Sequence, residues 1–195
     1  MLFRSPQVIE FRQEAFFRHL FAVNEPDCYG VLDLARKESV LYVPQLPESA
    51  VRWQGPMRSA EHYCTTYGVQ STKFASELAQ DLVARGIKKI LVLKGLNTDS
   101  GSMTKTTAEF DGMEQFAVDE ATLHPVLVEL RVIKTPREIE LLRKACRMSA
   151  QAHTYVMRHM KAGMTEFQCE ALFKAYTGYF GGARYQAYTY VSRLP

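Results

Sequence analysis

The sequence has no apolar run long enough to cross a membrane. Its apolar runs, such as "ILVL" at residues 90–93, are far shorter than the ~20 residues that a membrane-spanning helix requires. The polar residues Arg4, Gln7 and Glu10 interrupt the first ten positions, where a secretory signal carries an uninterrupted apolar core. We therefore expect a protein of the cytoplasm that is neither exported nor inserted into a membrane.

Blocks of like charge and closely spaced cysteines are also absent. The formal net charge of +3, from 24 basic and 21 acidic residues, is spread along the chain, which argues against nucleic acid and anionic membranes as partners. Without a C-x-x-C pair, the cysteines fit neither a zinc site nor a dense disulfide scaffold, so we expect reduced, structural thiols. The four cysteines are Cys28, Cys64, Cys146 and Cys169.

No local motif of a common catalytic chemistry is present. The sequence contains no H-E-x-x-H, no G-x-S-x-G, no Walker-type loop and no glycine-rich dinucleotide fingerprint. None of the histidines lies four residues from another, as two ligands on one helix face would, and we interpret all of them as structural. For His153, on an apolar helix stripe, we favour a hydrogen bond at a packed interface over a functional role. The five histidines are His19, His62, His124, His153 and His159.

The first part of the chain has the pattern of an α/β domain. Two apolar-rich stretches within residues 28–43 flank the polar "ARKE", which predicts a hairpin of two strands. Apolar residues at near-helical spacing in residues 71–85 predict a helix that ends at Gly86. A buried strand, "KILVLKG", follows at residues 89–95. This order predicts an α/β fold with a mixed sheet flanked by helices.

Two helices with clear start signals follow. Thr135 can cap the first helix, Pro136 suits its first position, and Glu138 completes a capping box. Thr165 and Gln168 form a second capping box. We therefore predict a first domain at residues 1–134 and the beginning of a second at residues 135–195.

The first of these helices carries a long apolar stripe. The stripe continues until Gly163 over about 27 residues, or roughly 40 Å. A helix of this length needs a large apolar surface to pack against. The pair Gly181 and Gly182 is predicted to end the second helix. The stripe consists of Ile139, Leu142, Cys146, Ser149, His153, Val156 and Met160.

A polar cluster, "LNTDSGS", follows the predicted strand at residues 96–102. In α/β folds this is a frequent place for a binding loop, and Asn97, Asp99 and Ser100 could surround a small molecule. The same residue types also make the side-chain to backbone hydrogen bonds of tight turns. We favour the turn, and the binding loop stays open as the alternative.

Taken together, these segments resemble the prolidase branch of the creatinase and aminopeptidase P superfamily. The resemblance is dense from residue 11 to residue 189, and the combination of "EPDCYGV" with "NTDSGS" is specific to prolidases. The segments that carry it are "FRQEAFF", "NEPDCYGVLD", "VPQLP", "LNTDSGS", "FDG", "TLHP", "RVIKTPREIELLR", "GMTE" and "GGARYQAYT".

This resemblance implies a fold and an activity. The fold is a creatinase-type N-terminal α/β domain followed by the first two helices of an incomplete pita-bread catalytic domain. The activity is the hydrolysis of dipeptides that end in proline, by a cytoplasmic homodimer with two manganese ions. The family holds these ions with two aspartates, one histidine and two glutamates, downstream of the segment that matches "GGARYQAYT".

The resemblance therefore assigns no catalytic residue and no metal ligand to this chain. We do not assign a metal to Asp99, Asp111 or Asp119, because hard cations need several convergent oxygens. We expect the chain to be inactive alone and to bind no cofactor. Upstream of Phe11 the family carries about one more strand and helix, and the tail after Thr189 diverges, so we expect a truncated or divergent chain.

One substrate-binding residue is implied by the resemblance. The loop "AVRWQG" at residues 50–55 is expected to lean towards the partner subunit's catalytic cleft, where Trp53 would cover a proline ring. The alternative is that Trp53 anchors the core or a dimer interface. Two further functions stay open: a non-catalytic dimerisation or interaction protein derived from a prolidase, and a related fold with different chemistry.

Overall fold

The computed structural model describes residues 11–56, 58–103 and 108–186, without the side chains of Glu48, Trp53 and Gln54. Contacts divide the chain into two compact units, Met1–Leu130 and Arg131–Pro195. Among the described residues, no helix combines the length and the apolar character that crossing a membrane requires.

Unit 1 consists of short helices and short strands. Its strands are β1 (Tyr29–Asp33), β2 (Glu38–Val43), β3 (Ser71–Phe74), β4 (Lys89–Leu91) and β5 (Ala117–Asp119). Its α-helices are α1 (Ala15–Phe21), α2 (Val51–Gln54), α3 (Ala60–Tyr67), α4 (Leu78–Ala84) and α5 (Leu123–Leu130). Short 3₁₀ turns lie at Glu48–Ala50, Ala75–Glu77 and Met113–Gln115.

The predicted hairpin is confirmed. Strands β1 and β2 pair antiparallel, with Tyr29 opposite Tyr42 and Asp33 opposite Glu38. Strand β3 joins the other edge of β2 in parallel, so the three-stranded sheet is mixed, as expected. Strands β4 and β5 form a second, parallel pair.

The helix predicted within residues 71–85 begins later than expected. Residues Ser71–Phe74 are strand β3, and α4 covers only Leu78–Ala84. The spacing was misleading because Phe74 ends the strand just before the helical turn, where its N–H donates to Glu77 Oε2 at 2.8 Å. The free edge of β2 supplies backbone hydrogen-bond partners to this segment, which outweigh local spacing.

Strand β4 is likewise shorter than the seven residues predicted. It ends at Leu91, although the N–H of Val92 still donates to Asp119 O at 3.0 Å. Strand β5, which pairs with it, has only three residues and was not predicted.

Strand β2 is buried on both faces and divides the core of unit 1 into two clusters. On one face Leu41 and Val43 pack with Phe21 and Val69, and α3 lies against this cluster through Tyr63, Cys64 and Tyr67. On the other face Val40 and Tyr42 pack with Leu78 and Leu82 of α4 and with Phe116. Successive residues of a strand point to opposite faces, so this one strand organises three layers.

Unit 2 is a pair of packed helices, α6 (Pro136–His159) and α7 (Glu166–Gly181). Both predicted capping boxes are confirmed, with Thr135 and Thr165 as the N-caps. Helix α6 ends before the predicted Gly163, because Met160 has extended backbone angles. The helices pack through aromatic rings, including His153 on Phe173 at 4.9 Å between ring centroids.

Candidate functional site

Glu25 lies at the centre of a polar cluster in unit 1. Its Oε1 accepts a hydrogen bond from Arg58 Nη1 at 2.7 Å, and its Oε2 accepts one from the hydroxyl of Tyr67. Its backbone carbonyl accepts a third, from Gln13 Nε2 at 3.1 Å. These four residues, which we name the Glu25 cluster, join the segments before α1, after α1, before α3 and at the end of α3.

The electrostatics of the Glu25 cluster keep Tyr67 neutral. Burial, together with the hydrogen bond to Glu25, raises the pKa of Tyr67 to about 12. The hydroxyl therefore stays a donor to the carboxylate over the physiological pH range. Sequence analysis missed this cluster, because its members lie far apart in the chain and carry no common motif.

The predicted substrate-binding residue, Trp53, lies in the short helix α2. A 3₁₀ turn at Glu48–Ala50 leads into this helix, and Gly55 ends it with a φ of +79°, a conformation that favours glycine. The side chain of Trp53 lies outside the described atoms, so its role in substrate binding stays a prediction.

A second polar cluster, around Asp81 of α4, lies beneath the sheet. Asp81 accepts hydrogen bonds from Lys73 Nζ at 2.5 Å, from Arg85 Nε at 2.8 Å and from the hydroxyl of Tyr42. Arg85 also donates to Glu38 at 3.0 Å and to Asp33 at 3.3 Å. The cluster therefore ties α4 to all three strands of the mixed sheet.

Ion pairs and hydrogen bonds outweigh burial in setting the pKa of Asp81 in this cluster. Burial by itself would raise the pKa of Asp81, but hydrogen bonds from Lys73, Tyr42 and Arg85 outweigh it and lower that pKa to about 2. Burial and the contact with Asp81 raise the pKa of Tyr42 well above its usual range. The cluster contains a carboxylate, a neutral phenol and cations at neutral pH, so it is suited to holding structure rather than to exchanging protons.

The polar segment at residues 96–102 forms a turn. Asn97 Oδ1 accepts from the N–H groups of Asp99 at 2.9 Å and Ser100 at 3.2 Å. The turn is closed by the N–H of Asn97, which donates to Ser102 O at 2.8 Å. This is the arrangement that we favoured over a binding loop.

The histidines have structural surroundings where contacts are described. The ring of His124 packs edge-on against Phe16, and the ring of His159 stacks on Tyr155 while its Nδ1 lies 2.8 Å from Tyr155 O. His153 contacts Phe173 edge-on within the α6 and α7 pair. We predicted a hydrogen bond of His153 at a packed interface. The contact described there is with the ring of Phe173 and not with a hydrogen-bonding group.

All four cysteines are free thiols. Burial, with added repulsion from Glu25 and Asp27, raises the pKa of Cys28 to about 12, so this thiol stays protonated and unreactive at neutral pH. Cys146, on α6, is exposed.

The described residues do not fit a two-metal centre. In the described ranges, no three His, Cys, Asp or Glu side chains are arranged so that they could hold a metal ion. Asp119 forms an ion pair instead, with its Oδ2 2.8 Å from Lys89 Nζ. This contact, together with hydrogen bonds from Thr122 and Ala121, lowers the pKa of Asp119 well below its usual range.

Comparison with known proteins gives consistent matches along the chain. The family model of the aminopeptidase P N-terminal domain matches residues 3–91, and that of metallopeptidase family M24 matches residues 140–193. The Xaa-Pro dipeptidase of Homo sapiens is 44% identical over 179 residues, which are 92% of this chain and 36% of the relative. The Xaa-Pro dipeptidase of Rattus norvegicus is 44% identical over 181 residues, 93% of this chain and 37% of the relative.

The fold has a solved counterpart. The low-pH form of Escherichia coli aminopeptidase P superposes with a TM-score of 0.72 at 25% identity, over 96% of this chain and 45% of that one. The chain spans about 36–37% of the length of the two curated relatives named above. The chain therefore belongs to the aminopeptidase P and M24 metallopeptidase family. It contains the N-terminal domain that is typical of this family and the start of the catalytic domain.

Proposed function

We propose that this chain is the N-terminal part of an Xaa-Pro dipeptidase, which hydrolyses dipeptides ending in proline. The observation that supports this most strongly is the 44% identity with human Xaa-Pro dipeptidase, against 25% with Escherichia coli aminopeptidase P. We further propose that the enzyme is a cytoplasmic homodimer that uses manganese, and that the domain boundary lies at Lys134, next to the N-cap of α6.

In this proposal the chain supplies a scaffold, and the metal ligands come from segments outside the described residues. Bound metal ions would polarise the scissile carbonyl and activate water. The part of this chain would be to hold α6 and α7 as the first elements of the catalytic domain and to present α2 from unit 1. The chain alone is then expected not to hydrolyse Xaa-Pro dipeptides.

A chimera tests this proposal. The matching part of human Xaa-Pro dipeptidase is replaced by the 179 aligned residues of this chain, and hydrolysis of glycyl-proline is measured with manganese and with a chelator. We expect chelator-sensitive hydrolysis by the chimera and none by the 195-residue chain. Intact human enzyme is the positive control. Chelator-sensitive hydrolysis by the chain alone, or a folded, metal-loaded chimera without activity, would contradict the proposal.

Trp53 is proposed to bind the proline ring of the substrate in the partner subunit. In the chimera we expect Trp53→Ala to raise KM for glycyl-proline about tenfold with little change in kcat, because stacking on an aromatic face contributes on the order of 1 kcal/mol to binding. Trp53→Phe keeps a flat apolar ring and is expected to change KM about twofold or less. Equal KM values for the alanine variant and the unsubstituted chimera would favour the alternative role of Trp53 as an anchor.

A non-catalytic interaction protein is the second candidate. The exposed apolar side chains of unit 2 favour it, because large exposed patches tend to recruit partners. The most exposed include Phe167, Tyr179 and Phe180, at 75%, 84% and 61%. A defined homodimer of the 195-residue chain by sedimentation, or a heterodimer with the human enzyme, together with an inactive chimera, would support this function over the first.

A further inference from the structure

The two units carry formal charges of opposite sign. Residues 131–195 contain 11 basic and four acidic residues, a formal charge of +7, whereas residues 1–130 contain 13 basic and 17 acidic residues, a formal charge of −4. The even spread of charge that the sequence suggested therefore does not hold between the units. A surplus of this size in one small unit favours partners of opposite charge.

Three arginines of this surplus form a row on α6. A helix turns by about 100° per residue, which places Arg143, Arg147 and Arg158 within about 60° of one another. All three are exposed. Ala152 is fully buried, and it lies about 150° from the middle of the row, on the side that packs on α7. The arginine row therefore lies on the outer face of α6.

The arginine row has no acidic partner within the part of the chain that the structure describes. Of the acidic residues on α6, Glu138 belongs to the capping box. Glu140 stands three residues before Arg143 but forms no ion pair with it in the described ranges. Arg143 and Arg147 stand one turn apart, where like charges repel each other. Their positive charge is therefore available to a partner.

An apolar row runs beside the arginine row. Leu142, Met157 and Met160 are 50%, 70% and 52% exposed, and they too lie within about 60° of one another. Cys146 and His153 interrupt this row, which is narrower than the apolar face of a helix that lies in a membrane surface. The phosphates of a nucleic acid offer no apolar side chains to cover it. A second helix with an apolar row and acidic residues fits both rows.

From these features we propose that the outer face of α6 binds an acidic amphipathic helix of a partner protein. Carboxylates one turn apart on that helix accept paired hydrogen bonds from Arg143 and Arg147, since guanidinium and carboxylate groups match in shape. Its apolar residues cover Leu142 and Met157. This binding goes beyond the proposed peptidase activity, because it needs neither substrate nor metal.

A synthetic helical peptide tests the proposal on the full chain. The peptide has about 18 residues, or roughly five turns, with glutamate at every fourth position and leucine on the adjacent face. Binding is measured by titration calorimetry at about 150 mM salt, where long-range charge effects are screened. We expect saturable binding of this peptide, and none of the same peptide with glutamine in place of glutamate.

Two sets of variants locate the binding face. Replacement of Arg143 and Arg147 by glutamine keeps helix-forming side chains and should weaken binding about tenfold, the range for two partly exposed ion pairs. Met157→Ala should weaken it about threefold through lost apolar contact. The matched control replaces Lys161 and Lys174 by glutamine, which removes the same charge from unit 2 outside the arginine row. Its affinity should change by less than about twofold.

Three results would overturn the proposal. The first is that the unsubstituted chain does not bind the glutamate peptide. The second is equal weakening by the control, because net charge and not the arginine row would then determine binding. The third is tighter binding of anionic phospholipid vesicles or of a DNA duplex than of the peptide, which would assign the row to a lipid surface or to nucleic acid. Circular dichroism checks that each variant keeps its helices, and the glutamine peptide tests the charge without any change to the chain.

Discussion

Replacement of Asp81 by leucine is expected to lower the free energy of unfolding of unit 1 by about 3 kcal/mol. The change leaves Lys73 and the buried hydroxyl of Tyr42 without their shared acceptor. Arg85 keeps Asp33 and Glu38, which places the expected loss at the lower end for a broken buried ion pair. Urea unfolding followed by the fluorescence of Trp53, the single tryptophan, measures the loss in unit 1.

A matched control separates burial from charge pairing. Lys94 and Glu120 form an ion pair that is 40% and 47% exposed, so Glu120→Leu should cost less than about 1 kcal/mol. Similar losses for Asp81→Leu and Glu120→Leu would mean that the Asp81 cluster contributes no more than a surface pair.

The same cluster has a pH signature with a definite sign. The pKa of Asp81 is about 2 in the folded chain and about 4 when unfolded. Its ionised form therefore contributes stability above about pH 4, and this contribution is lost as the pH falls through 2. We expect roughly 2 kcal/mol to be lost over this window, and a shallower loss in Asp81→Asn. Parallel stability curves for the two proteins would contradict this assignment.

Replacement of Gly30 by alanine is expected to destabilise unit 1 by about 1–3 kcal/mol. A methyl group on Gly30 would lie 2.3–2.7 Å from three ring carbons of Phe21, and that ring is only 5% exposed. The ring has little room to move, so the strand or α1 must shift. Urea unfolding of the purified variant, followed by tryptophan fluorescence, measures the effect.

Gly178 in α7 provides the matched control for Gly30. A methyl group there meets no atom within 4 Å, and alanine favours the helix interior by about 1 kcal/mol over glycine. Gly178→Ala should therefore raise the stability of unit 2, as followed by far-ultraviolet circular dichroism. In a second test, Phe21→Leu should reduce the loss of stability caused by Gly30→Ala, because the smaller side chain leaves room for the added methyl group. Additive effects of these two changes would argue against the steric explanation.

Local signals in the sequence predicted several elements correctly. The capping boxes at Thr135 and Thr165 marked the starts of α6 and α7, because a helix N-terminus is satisfied by side chains within four residues. The β1 and β2 hairpin was predicted for a similar reason, since a short polar turn joins two apolar strands. The resemblance to prolidases predicted the family.

The elements that were missed depend on distant partners. Strand β3 exists because β2, about thirty residues earlier, offers it a free edge. Asp81 of α4 and Arg85, the C-cap residue of that helix, stand four residues apart, a spacing that suggests an ion pair. Nothing local shows that Tyr42, Asp33 and Glu38 complete their cluster.

The sequence by itself determined where the helices of unit 2 begin, the hairpin of unit 1 and the family of the chain, because caps, turns and motifs are read from neighbouring residues. Only the tertiary structure decided that Glu25 holds both Arg58 and Tyr67, and that β2 is buried on both faces. Both depend on side chains that lie far apart in the chain and meet only when the layers of unit 1 pack.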